Sequence, residues 1–149
     1  MLTISTRIRY GLLALAAVGA SGERKPVRLN SIADRLGLSF KYLENIFRRL
    51  KQGGLVHGTR GPEGGYVLAR PATDIFLDEV FTVLEGPLVG VECLEDDPAC
   101  GRLELCPLKN VWKEFQDAMA GFLSRRTLAD IIRNADLKRD AVRSACVRR

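Results

Sequence analysis

Three cysteines, Cys93, Cys100 and Cys106, fall within a stretch of 14 residues, the tightest gathering of metal-ligating side chains in the chain. Thiolates are soft donors that hold iron-sulfur clusters and zinc. The gaps of six and five residues lack the paired two-residue spacing of zinc ribbons, so a 2Fe-2S or 4Fe-4S cluster is expected and zinc is the alternative. Three unliganded thiols beside Glu95, Asp96 and Asp97 would be an unusual use of cysteine. Cys146 lies in a charged segment whose ordering would cost about 1 kcal/mol or more per residue, so it is not expected to join them. A fourth ligand is open among Glu92, Glu95, Asp96, Asp97, Glu104, a residue of a partner chain, Cys146, or none. Thiol catalysis fits less well, because there is no CxxC pair and the lone histidine, His57, is remote in sequence. The chain is therefore read as a binding protein and not an enzyme.

The second chemical feature is charge. Residues 1–71 hold 12 Lys and Arg against 4 Asp and Glu, net +8, whereas residues 72–133 hold 6 against 12, net -6. A basic front half concentrates polyanions, and double-stranded DNA is the foremost candidate for a 149-residue chain of ordinary globular composition. The longest apolar run, residues 11–20, is half of the roughly 20 residues that a membrane-spanning helix needs. Arg7 and Arg9 before that run imitate a secretory signal. The helical spacing of Ile4, Ile8, Leu12, Leu15 and Val18 instead marks a helix docking on a core, and a cytoplasmic protein is expected.

These groups must be positioned by a small set of elements. A first helix spans about 6–21. A second, capped by Asn30 or Ser31, ends at Gly37, and Ser39 caps a third in which Phe40, Leu43, Ile46, Phe47 and Leu50 form the buried stripe. Lys41, Tyr42, Glu44, Asn45, Arg48, Arg49, Lys51 and Gln52 are left outward. Gly53 and Gly54 stop this helix, and residues 55–59 and 65–69 read as two strands around the glycine-rich Arg60 to Gly64. A helix-turn-helix followed by a hairpin is a winged helix, mainly α with a small β wing. Helical spacing resumes over 74–84. A longer helix over about 107–124 carries Leu108, Val111, Trp112, Phe115, Met119 and Phe122 on one face, too wide for the rest of the chain to cover, so a partner helix is expected. A short capped helix is expected from Thr127 to Asn134.

The segments SFKYLE (39–44), RGPEGGY (60–66), the three cysteines ahead of Trp112, and TLAD (127–130) together resemble the Rrf-type winged-helix transcription regulators of the IscR/NsrR kind, over about residues 1–134. The resemblance implies a homodimer crossed through its long helix, a DNA palindrome as target, and a cluster controlling DNA binding. It places Ser39, Lys41, Tyr42 and Glu44 on the recognition helix and Arg60 and Gly61 on the wing, with Cys93, Cys100 and Cys106 as cluster ligands. Ser39, Lys41 and Tyr42 suit phosphate oxygens, whereas Glu44 can only accept, for instance from a cytosine amino group, or pair with Arg48. One departure is Lys109, where the iron-sulfur branch carries a histidine. The expected organisation is a winged domain over 1–85, a cysteine-bearing loop over 86–107, a dimerisation helix with a short C-terminal helix over 108–134, and a disordered tail over 135–149.

Overall fold

The computed structural model describes residues 4–22, 25–61, 63–86 and 106–135. Helix α1 (Thr6–Gly19) leads into α2 (Leu29–Leu36) and α3 (Phe40–Gln52), followed by an antiparallel hairpin of β1 (Val56–Thr59) and β2 (Gly65–Leu68). A 3-10 turn at Ala72–Asp74 precedes α4 (Leu77–Glu85), then come α5 (Lys109–Leu123) and a last helical stretch over 128–135. The mostly helical winged fold expected from the sequence is the one found.

Local chemistry sets the helix-turn-helix corner. Gly37 takes a left-handed φ of 64° that only glycine adopts without strain, and the Leu38 N–H closes onto the Ala33 carbonyl at 2.9 Å. Ser39 then accepts the Tyr42 N–H at 3.3 Å and starts α3. The start of α2 differs from expectation. Helix begins at Leu29, Arg28 occupies the cap position without a side-chain cap, and Asn30 and Ser31 lie inside. The reason is tertiary: Val27 exchanges backbone hydrogen bonds with Tyr66 at 3.0 and 2.9 Å, adding a third rung beside the hairpin and fixing the chain directly before α2. The approach is so close that a Cβ on Gly65 would stand 2.5 Å from the Val27 carbonyl oxygen.

The core is built by Ile8, Leu15 and Val18 of α1, Ile32 of α2, and Leu43, Ile46, Phe47 and Leu50 of α3, with Leu55, Ile75, Val80, Leu84 and Leu128, all at most 2% exposed. Two expected core positions lie outside it. Phe40 is 47% exposed, because helical side chains lean towards the N-terminus and this one, at the first position of α3, leans past the corner. Ile4 is exposed because it precedes α1.

The chain after α5 folds back. Leu77 N–H bonds the Arg126 carbonyl and Leu128 N–H bonds that of Ile75, both at 2.9 Å, and Ile131 and Ile132 pack on the core. At the start of this stretch the Asp130 carboxylate accepts the Thr127 hydroxyl at 3.3 Å and, more closely, the Thr127 N–H at 2.9 Å. That bond, with lesser help from the Thr127 hydroxyl and Arg133 and against some desolvation, holds the Asp130 carboxyl below its ordinary value. Helix α5 itself is left uncovered: Leu123 is buried, while Leu108, Val111, Trp112 and Phe122 are exposed and Phe115 and Met119 half-buried.

Candidate nucleic-acid interface

Helix α3 divides cleanly by face. Leu43, Ile46, Phe47 and Leu50 are buried, so Lys41, Glu44, Asn45, Arg48, Arg49 and Lys51 are held outward and exposed. The hairpin closes one flank, and a groove of about 470 Å³ runs between helix and wing, lined by Lys41, Glu44, Asn45, Arg48, Lys51 and Tyr66. Tyr66 is fixed there by its ring against Phe47, centroids 4.8 Å apart. Lys41 and Lys51 lie ten residues apart in one helix, about 15 Å along its axis.

Of the residues expected to meet DNA, Ser39 is exposed at the N-cap, where helix N–H groups and dipole favour a phosphate. Lys41 is exposed two residues further on. Tyr42 is more structural than expected: half-buried, it meets Tyr10 edge-on at 6.4 Å and its hydroxyl is 3.4 Å from that of Thr6, joining α3 to α1. Glu44 faces the groove and does not pair with Arg48, which donates to Asn45 Oδ1 at 2.8 Å instead. Arg60 is exposed at the end of β1, and neither a hydrogen bond nor an ion pair holds its guanidinium among the described residues. Gly61 takes φ 113°, which a side chain would resist, and lets the wing turn directly after that arginine.

The groove thus contains Asn45, Arg48, Lys51 and Tyr66, which motif reasoning passed over. Helical spacing from Lys41 through residues 44 and 45, 48 and 51 is the signal that finds the first three; Tyr66 needs the hairpin's register. His57 is exposed on β1.

Cys93 and Cys100 lie outside the described residues, as do Cys146, Glu92, Glu95, Asp96, Asp97 and Glu104. Cys106 is a half-buried free thiol whose carbonyl accepts the Lys109 N–H at 3.2 Å, at the turn that starts α5. At the other end of the cysteine-bearing segment, the close of α4 is tied to α1. Ser5 Oγ donates to Glu85 Oε1 at 2.6 Å, and Arg7 donates to the Leu84 carbonyl at 3.1 Å and pairs with Glu85 at 3.4 Å. No helix among the described residues is long and apolar enough to cross a membrane.

Residues 4–134 match the Rrf2 family, described as an iron-dependent transcriptional regulator. Protein rrf2 of Nitratidesulfovibrio vulgaris is 40% identical over 134 residues, 90% of this chain and 89% of that protein. Among solved structures, CymR, described as the global cysteine regulator of B. subtilis, superposes with a TM-score of 0.74 at 36% identity over 90% of this chain and 98% of its own. IscR of T. potens does so with 0.73 at 36% identity, over 90% and 88%.

Proposed function

Because this chain belongs to the Rrf2 family of DNA-binding transcriptional regulators, we propose that it is a cytoplasmic homodimer whose promoter binding is governed by an iron-sulfur cluster on Cys93, Cys100 and Cys106. The observation that carries the DNA half is the basic outer face of α3 set beside a wing with an uncommitted Arg60. Such a helix fits the major groove, while Arg60 reaches the phosphate backbone or the narrower groove alongside.

The donor set suits a cluster. Three thiols in one short segment offer soft ligands, and the one described, Cys106, is free. A histidine ligand at 109 is absent, since Lys109 stands there and a protonated ammonium has no lone pair to give. A bound cluster would supply iron open to oxidation, nitric oxide or exchange. The fourth position then falls to an acidic side chain or the partner chain. Similarity to CymR favours a second reading, in which the same fold answers its signal through thiols or zinc without a cluster.

The protein's own contacts give a route for regulation. A rearrangement of the cysteine-bearing segment acts on the end of α4, which Glu85 and the Leu84 carbonyl tie to the start of α1. The Thr6 and Tyr10 contacts of Tyr42 then bear on the N-terminal turn of α3. Control arises if the two cluster states favour different spacings of the paired recognition helices, the linkage that every allosteric switch requires.

The wing assignment is tested by Arg60→Ala. Affinity for duplex DNA is expected to fall about tenfold across sequences alike, with the slope of log affinity against log salt reduced by about 1. A variant that matches the parent across a salt series would remove Arg60 from the interface.

A further inference from the structure

The two ends of the α3 groove differ from its middle. Lys41 and Lys51 stand at the ends, separated by about 15 Å, somewhat more than the roughly 12 Å width of a major groove. They are mobile point charges suited to the phosphates on either side. Between them lie Glu44, Asn45 and Arg48, which are neither alike nor independent.

Arg48 Nη2 donates to Asn45 Oδ1 at 2.8 Å. That bond has two consequences. It anchors one edge of the guanidinium, leaving the remaining N–H groups of a rigid fork to face the groove. It also engages the Asn45 oxygen, so the two N–H donors of the carboxamide are the part left for other partners. Asparagine reads adenine by accepting from N6 while donating to N7, and here Arg48 takes one of the two lone pairs of that oxygen and crowds the approach to the other. The couple presents mainly donors. Glu44, beside it, presents acceptors only and makes no competing pair with Arg48.

Among major-groove edges, guanine alone offers two acceptors, O6 and N7, and cytosine alone offers a donor, N4–H, without an acceptor. We infer that the bonded Asn45–Arg48 couple is the guanine-reading element of α3, with Glu44 accepting from a cytosine amino group beside it, so that the half-site is centred on G·C pairs. The inference rests on the docking of α3 and the wing on DNA, and it names the sequence that this docking selects. Thymine would satisfy one donor at O4 and set its methyl against the guanidinium edge. Adenine would set its N6–H group against the donors. Both are rejected by unpaired polar groups, which discriminate more strongly than a lost contact alone.

The test uses the full chain. Selection from a randomised duplex pool identifies the bound site, and fluorescence anisotropy then compares that duplex with versions carrying adenine or 7-deazaguanine at each guanine. Enriched sites are expected to contain G·C pairs. At one guanine per half-site, Arg48→Ala is expected to erase about tenfold or more of the preference over A·T, as is loss of N7. Asn45→Ala lowers that same preference, and Arg48→Lys keeps overall affinity but not discrimination, since an ammonium cannot fork. Lys51→Ala weakens every sequence evenly. All three positions are exposed, and circular dichroism confirms the fold of each variant. If the parent enriches a site whose guanines respond no differently to Arg48→Ala than other positions, or a site without guanine, this inference is wrong while the docking stands. If the parent enriches no sequence, the docking itself fails and takes the inference with it.

Discussion

Replacing Cys93, Cys100 or Cys106 by serine is expected to remove iron and sulfide from protein purified without oxygen and to abolish its visible absorption, whereas Cys146→Ser retains both. A cluster is held by thiolates because sulfur shares charge with iron, and a serine hydroxyl, smaller and far less acidic, cannot take its place at neutral pH. With no histidine at 109, three thiols carry most of the protein's grip, so losing one removes about a third of it. Cys106 is suited to the role by its place: free, half-buried, and at the turn that starts α5. Cys146 must bring a charged segment with it, at about 1 kcal/mol or more for each residue ordered. The opposing consideration is that a soft fourth thiolate would complete the set well. Loss of iron in Cys146→Ser, or its full retention in any of the other three, would overturn the assignment.

Glutamate at both Val111 and Phe122 is expected to convert a dimer into a folded monomer. These side chains are 54% and 55% exposed on α5, alongside Leu108 at 50% and Trp112 at 37%. A helix face this apolar is costly in water, and the proposed twofold contact would cover it. In a twofold contact every substitution counts twice, and a carboxylate centred in an apolar interface costs about 2 kcal/mol or more per copy, so the dissociation constant should rise about a thousandfold for either substitution alone and further for the pair. The fold should survive, since the continuous core runs from Ile8 to Leu128 without any α5 side chain. Sedimentation equilibrium with circular dichroism reads both quantities. A parent that is monomeric at micromolar concentration, or a double variant that remains dimeric, would contradict this.

What the sequence made legible was local. Gly37, Ser39 and the glycine pair at 53–54 bracket α3 by backbone chemistry, and the period of its apolar residues separates the buried face from the face offered to DNA. The wing was equally plain from strands on either side of a glycine-rich turn. What stayed hidden was set by distant contacts. Val27 pairs with Tyr66 across 39 positions and thereby moves the start of α2 away from Asn30 and Ser31. Tyr42, a phosphate donor by type, spends part of its surface on Tyr10 and Thr6 of α1. The alternative Glu44–Arg48 pair gave way to Arg48–Asn45, because residues three apart on a helix are also neighbours and a carboxamide leaves the carboxylate free. The ligand set rests on residue type, spacing and the family resemblance, for Cys93 and Cys100 lie outside the described residues.

The central claim is that one bound group sets the affinity of this fold for DNA. The direct measurement is an anaerobic anisotropy titration of the selected duplex, with one preparation divided into cluster-loaded protein and protein stripped of iron. The two titrations should differ in Kd by about tenfold or more, within the 5- to 150-fold span of ordinary allosteric coupling, and the Cys93→Ser variant should bind as the stripped protein does. Equal affinities in the two halves, with iron and sulfide verified in the first, would contradict it.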